Sequence, residues 1–365
     1  MLRSLACSRL AALAFLCLGF ASLAKAQSVS VFASGFDNPR GLKFGPDGYL
    51  YVAEGGAGGT LSTVGKCPQA AGLPDGPGPY TGGFTSRISK VDHHGHVSTV
   101  ADHLPSSQTS AAFGNLVSGV ADIAFFRGRL YALEGGAGCS HGLFGTSNGV
   151  LRINSDGTWK EIADLSAFVM ANPTKNENAD DFEPDGTWYS MISVHGRFYA
   201  VEPNHGELDS ISTDGTIRRV ADISASQGHI VPTVVAYHDG DFYVGNLDTF
   251  PITPGASVIL KISRAGEVCV WASGFNTILG LDFDDEDNLY VLENTVGAPG
   301  PTPGLGQVVR INEHGTRTVV VSGLFLPTGL TVGPDGNLYV SNYGFGLPPN
   351  GSGQIVKITI HSEED

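Results

Sequence analysis

Six residues of one chemical kind recur at one place in this chain. Glu54, Glu134, Glu202, Asn246, Glu293 and Asn342 each close a short run: Leu50-Tyr-Val-Ala-Glu54, Leu130-Tyr-Ala-Leu-Glu134, Phe198-Tyr-Ala-Val-Glu202, Phe242-Tyr-Val-Gly-Asn246, Leu289-Tyr-Val-Leu-Glu293 and Leu338-Tyr-Val-Ser-Asn342. All six are acids or amides. Brought to one mouth, they would form a ring of oxygen ligands suited to a hard cation, or to a hydroxylated or cationic ligand. A plainer reading is that each side chain caps backbone amides of the Gly-rich loop after it. Four clustered carboxylates would raise one another's pKa unless a cation stood between them. Arg40 and Lys43 are the nearby basic residues that could supply charge, and Arg40 is counted with the ligand-binding set.

Other constellations carry less. Gly145-Thr-Ser-Asn-Gly149 matches G-x-S-x-G but lacks the strand before it and the helix after it that a nucleophile elbow requires. Asp92-His-His-Gly-His96 and Asp284-Asp-Glu-Asp287 fall where tight turns are expected. Tyr51, Tyr131, Tyr199, Tyr243, Tyr290 and Tyr339 form a second column, read as packing between repeats.

The elements that must position the acid–amide column are themselves repeated. Gly41-Leu-Lys-Phe-Gly-Pro-Asp-Gly-Tyr-Leu-Tyr-Val52 and Gly329-Leu-Thr-Val-Gly-Pro-Asp-Gly-Asn-Leu-Tyr-Val340 are close copies of one β-hairpin, with Pro and Asp entering the turn and Gly in its left-handed position. A third strand follows each hairpin, as in Ser86–Val91 or Val258–Ser263. After the first five comes a polar turn and a fourth strand, as in Trp159–Ala163. The sixth unit has no fourth strand of its own, and Ser28-Val-Ser-Val-Phe-Ala-Ser34 at the other end supplies one. The predicted fold is therefore all-β: a six-bladed β-propeller of four-stranded antiparallel blades, closed by the N-terminal strand against 354–359. The long, dissimilar connections follow strand 2 or join blades, and both kinds lie on one face of the disc. That face is where binding of a small molecule or protein is expected.

Residues 1–26 read as a signal peptide, with Arg3 and Arg9 around an apolar run and Ala24-Lys25-Ala26 as the cleavage site. The domain spans 27–360, and 361–365 form a C-terminal tail. Losing Arg3, Arg9 and Lys25 takes the formal charge from -15 to -18. A chain this acidic, with no basic stripe, argues against nucleic acid and against anionic membranes. A secreted or periplasmic monomer is expected. In an oxidising compartment Cys67 and Cys139, in equivalent loops of the first two repeats, are expected to pair, and Cys269 sits in an alternating strand.

Val52-Ala-Glu-Gly-Gly-Ala-Gly-Gly59, Ser118-Gly-Val-Ala-Asp-Ile-Ala124, 172–188, Val231-Pro-Thr-Val-Val-Ala236, Tyr243-Val-Gly-Asn-Leu-Asp-Thr-Phe-Pro251 and Trp271-Ala-Ser-Gly-Phe275 occur in order across the chain. In these motifs it resembles the ScyD/ScyE family of secreted, NHL-like propeller proteins. The resemblance implies an extracytoplasmic binding or scaffold protein, accessory to small-molecule metabolism, and brings no catalytic residue set with it. The chain also resembles calcium-dependent lactonases and phosphotriesterases of six-bladed fold. That alternative implies a hydrolase with calcium as cofactor, held by Glu54, Asn246 and Asn342. Those enzymes carry Ser-Asn-Gly before an inner strand, where this chain has Pro327-Thr328-Gly329 and Ile278-Leu279-Gly280.

Overall fold

The computed structural model describes residues 27–72, 76–177, 182–345 and 351–360. The expected signal peptide and C-terminal tail lie outside the described residues. The chain enters on β1 (Val29–Phe36) and builds the first blade from β2 (Pro39–Phe44), β3 (Leu50–Glu54), β4 (Thr81–Val91) and β5 (Val97–Gln108), with a two-residue β6 (Val117–Ser118) added at its edge. Blade 2 is β7 (Val120–Phe126), β8 (Arg129–Glu134), β9 (Gly149–Ile153) and β10 (Trp159–Asp164), followed by helix α1 (Leu165–Ala171). Blade 3 is β11 (Ser190–Val194), β12 (Arg197–Glu202), β13 (Glu207–Ser212) and β14 (Ile217–Asp222), then the single turn α2 (Ser224–Gln227). Blade 4 is β15 (Pro232–His238), β16 (Asp241–Asn246), β17 (Ser257–Ile262) and β18 (Val268–Phe275). Blade 5 is β19 (Ile278–Phe283), β20 (Leu289–Glu293), β21 (Gly306–Ile311) and β22 (Arg317–Leu324). Blade 6 is β23 (Gly329–Val332), β24 (Leu338–Asn342) and β25 (Gly353–Ile358).

Strand β1 completes blade 6. It lies antiparallel to β25, with Val29 opposite Ile358 and Phe36 opposite Gly353. The ring is thereby closed between its first and last strands, which leaves no blade a strand short. This is the six-bladed propeller that the repeats predict.

What holds the disc together is the packing between blades. Six buried apolar clusters each join two neighbouring blades, the last being Leu42 and Val52 of blade 1 with Phe36, Tyr339 and Ile355 of blade 6. The tyrosine column contributes directly. Tyr51 meets Phe125 of the next blade at 5.0 Å between ring centroids, Tyr131 meets Phe198 at 4.6 Å, Tyr199 meets Phe242 at 4.5 Å, and Tyr339 meets Phe44 at 5.0 Å across the closure. Each such ring stabilises the interface by its buried area plus about 1 kcal/mol of aromatic pairing.

Short turns join strands 1–2 and 3–4 on one face, where Gly48 (φ +79°) and Gly336 (φ +72°) take the left-handed position after Asp47 and Asp335. On the other face the connections are long. A Cys67–Cys139 disulfide, with Cα atoms 6.3 Å apart, ties the loop after β3 to the loop after β8. Among the described residues no helix is long and apolar enough to cross a membrane.

Candidate functional site

All six members of the acid–amide column are the last residues of their second strands, and all are buried. Each is bonded within its own blade or to the connection leading into it. Glu54 Oε2 accepts from the Asp37 amide at 2.7 Å, while Oε1 accepts from Arg87 Nε at 2.8 Å and from the Ser89 hydroxyl. Glu202 accepts from the amides of Thr187 (2.8 Å) and His205 (2.5 Å). Glu293 accepts from the Asn276 amide at 2.6 Å and from Gln307 Nε2 at 2.5 Å. Asn246 accepts from Val258 N–H at 2.6 Å and donates to the Ile230 carbonyl at 2.7 Å. Asn342 accepts from Phe325 N–H at 2.8 Å. These are the bonds of loop capping.

Glu134 differs from the rest. Its Oε1 accepts from the Gly136 amide at 2.8 Å, but its buried Oε2 has no partner. Burial pushes its pKa up to about 8, against the lowering effect of the Gly136 and Gly135 amides. Burial also raises Glu54, opposed by Arg87 and Ser89. The cation that answers Glu54 is thus Arg87, directly opposite it in the β3–β4 register, and not Arg40. Among the described residues, no three His, Cys, Asp or Glu side chains form a group that could hold a metal ion.

The weaker motifs are local. Ser147 donates to Glu161 at 2.8 Å, Asp92 accepts from the His94 and His96 amides, and Asp284 accepts from the amides of Glu286 and Asn288.

The concavity of the loop-rich face lies on the axis, inside the column. It is a cavity of about 510 Å³ whose base is set by the first strands: Arg40 of β2, Ala121 of β7, Thr233 of β15 and Leu279 of β19, with Tyr189 just before β11. Loops supply the walls, which are largely apolar: Pro77, Phe113, Leu116, Trp188, Pro203, Val231, Leu247, Phe250 and Phe345. Of the column-and-arginine set, only Arg40 lines it.

Arg40 is 5% exposed. Its Nη2 donates to the Val117 carbonyl and its Nη1 reaches Tyr189 Oη at 3.5 Å. The guanidinium lies 5.8 Å from the Tyr189 ring centroid and 5.9 Å from that of Phe345. Among the described residues no carboxylate stands within ion-pair distance of it. Burial raises the Tyr189 pKa, partly offset by Arg40, so this phenol stays protonated. The base of an apolar cavity therefore carries one positive charge held by neutral acceptors and ring faces.

A second polar feature, absent from the sequence reading, sits in the wall. Glu183 receives hydrogen bonds from Tyr80 and Thr187, and all three line the cavity. Behind them, His141 Nε2 lies 3.4 Å from Glu183 Oε2 and donates to the Gly186 carbonyl at 3.0 Å, while its Nδ1 accepts from the Ser107 hydroxyl at 2.9 Å. Burial lowers the His141 pKa and keeps the ring neutral. Ser107 and His141 are both fully buried and neither lines the cavity, so this row braces Glu183 and exposes no nucleophile. The signal that could have revealed it was the density of polar residues in 183–188, a stretch between blades that no repeat explains.

No model of a protein family matches the chain, and no curated sequence matches it. Solved structures do resemble it. A putative oxidoreductase (glucose dehydrogenase) from Thermus thermophilus superposes with a TM-score of 0.55 at 16% identity, over 92% of this chain and 100% of that one. The gluconolactonase XC5397 from Xanthomonas campestris gives 0.55 at 11% identity, over 91% and 90%. An auxiliary nutrient binding protein from Bacteroides thetaiotaomicron gives 0.55 at 10% identity, over 91% and 76%. At these identities the likeness shows a shared β-propeller fold and nothing finer.

Proposed function

We propose that this protein is a secreted small-molecule binding propeller of the ScyD/ScyE type, accessory to metabolism outside the cytoplasm. Its ligand is a ring-containing, largely apolar compound bearing one anionic group, held in the axial cavity with the anion against Arg40. One observation carries this reading. A cavity of about 510 Å³, within the range of ligand sites, has largely apolar walls with Glu183 and Asp248 among their polar residues, and a buried guanidinium with no carboxylate within ion-pair distance among the described residues. Where water is excluded, that charge attracts an anion far more strongly than it would in bulk solvent. The disulfide supports an oxidising location. Hydrolysis with calcium on Glu54, Asn246 and Asn342 has less support, because oxygens of all three already accept hydrogen bonds from backbone amides.

The test uses 8-anilinonaphthalene-1-sulfonate, an aromatic anion whose emission rises on transfer from water. Saturable binding to the mature protein is expected. Arg40→Gln should weaken it by about tenfold, the scale of one charge-assisted contact. Leu279→Trp, which fills the base, should abolish it. Binding that ignores both changes would remove the axial cavity as the site. A calcium-dependent rise in melting temperature, lost on Asn342→Ala, would instead favour the hydrolase.

A further inference from the structure

On the short-turn face, four blades share one arrangement. A basic residue of the third strand stands opposite the column tyrosine of the second: Lys90 opposite Tyr51, Lys261 opposite Tyr243, Arg310 opposite Tyr290 and Lys357 opposite Tyr339. In three of them an aspartate pairs with the basic residue, and in the fourth an aspartate and the arginine both act on the tyrosine. Lys90 lies 3.8 Å from Asp47, Lys261 2.9 Å from Asp241 and Lys357 2.7 Å from Asp335, while Asp284 joins Arg310 at Tyr290.

Blade 2 keeps the basic residue and loses the acid. Arg152 stands opposite Tyr131, but the residue two before that tyrosine, aspartate in blade 4 (Asp241), is Arg129. Lys160 of β10 is paired with Arg152 on its other side, and Arg127 occupies the adjoining turn. Among the described residues none of these four has a carboxylate within ion-pair distance, and the buried Nε of Arg152 has no hydrogen-bond partner. A groove of about 730 Å³ opens here, lined by Lys90, Arg129 and Arg152 with the polar residues Ser98, Thr99 and Asn154, and by no acid. This concentration of positive charge sits on a chain of formal charge -15.

We propose that this groove of blade 2 is an anion site for a phosphate or sulfate group, either on a small molecule or along a glycan chain. Guanidinium forks match the oxygen geometry of both groups, and hydroxyl and amide donors complete such a site. Paired cations that repel one another in the empty groove would share one multivalent anion when it is filled. Beyond about 10 Å at ordinary ionic strength the overall negative charge is screened, so it does not prevent local capture. The inference is independent of the axial cavity.

The experiment is calorimetric titration of the mature protein at low ionic strength with inorganic pyrophosphate and, separately, dextran sulfate. Binding of pyrophosphate assigns the site to small anions, and binding of dextran sulfate alone assigns it to chain-borne groups. Either should weaken as salt is added. Arg129→Asp installs the acid found in blade 4, so the fold should hold or gain in melting temperature while affinity falls by about tenfold or more. Arg152→Ser, the residue blade 3 carries at this position (Ser210), should do the same. Arg40→Gln should leave the affinity unchanged. The proposal is overturned if neither anion binds the wild type, or if Arg129→Asp binds as tightly as the wild type.

Discussion

The acid–amide column and the axial cavity share one face of the disc and follow opposite rules. The column is repetitive: six similar side chains, six equivalent positions, and hydrogen bonds that run to each blade's own backbone. The cavity is irregular: Arg40, Ala121, Tyr189, Thr233 and Leu279 surround one axis with no common chemistry. Repetition marks what every blade needs, which is a way to satisfy the amides where a second strand gives way to a long loop. Departure from the repeat marks what only one place needs. The groove of blade 2 follows the same logic, since Arg129 stands out because an equivalent strand carries Asp241.

The largest expected effect tests the frame that both regions hang on. Deleting 27–36 removes β1 and leaves β25 with an unpaired edge. The truncated protein should be recovered mainly as aggregate, measured by sedimentation and light scattering. A soluble, cooperatively folding truncate would break the ring-closure account, and with it the equivalence of the blades.

Next in size are changes to the column. Glu54→Ala strips the Asp37 amide, the Ser89 hydroxyl and Arg87 of their acceptor, which should cost about 3 kcal/mol of unfolding free energy in denaturant titration. The sulfonate probe should bind as before. Should probe or metal binding be lost while stability holds, the column is a ligand ring after all. Removing the disulfide through Cys67→Ser with Cys139→Ser should cost about 2–4 kcal/mol, since the bond closes a long loop across 72 residues. A change well below that range would mean the two loops are already fixed by contacts such as Thr63 with the Cys139 carbonyl.

The contrast also explains what was legible in the sequence. Blade count, strand order and the closing role of Ser28–Ser34 follow from recurrence, because a strand pattern present five times and missing once identifies its own substitute. The column was found for the same reason, and so was the face it occupies. Its partners were not: Arg87 lies opposite Glu54 in register, but residues 55–80 separate the two strands and hide that register from the eye. The cavity was less legible still. Trp188, Tyr189, Phe250 and Phe345 come from connections that obey no period, and only their convergence in space makes them a wall. Arg40 was picked out for its charge and not for its true neighbours, a carbonyl and two rings.

The smallest expected effect sharpens the comparison within the column, where Glu134 alone leaves an oxygen unbonded. Its pKa in the folded protein is about 8, against 4.5 as the ordinary value, and the cause is burial. Between those two values the folded chain holds a proton that the unfolded chain has released. Stability therefore falls as pH rises through this window, by at most about 1.4 kcal/mol per pH unit from this group, and levels off above it. Glu134→Gln removes the charge that must otherwise be kept protonated while preserving the acceptor for the Gly136 amide. At pH 5 the variant and the wild type should unfold at nearly the same denaturant midpoint. At pH 8.5 the variant should be the more stable by about 1–3 kcal/mol, less than the full linkage would give because water reaching the site lowers the charge penalty. Glu207 and Asp209 are also raised, first by burial, and they tilt the wild-type profile in the same direction. The difference between variant and wild type cancels their contribution and isolates Glu134. A difference that stays flat from pH 5 to 8.5 would mean Glu134 ionises normally, and its second oxygen would then need a cation beside it.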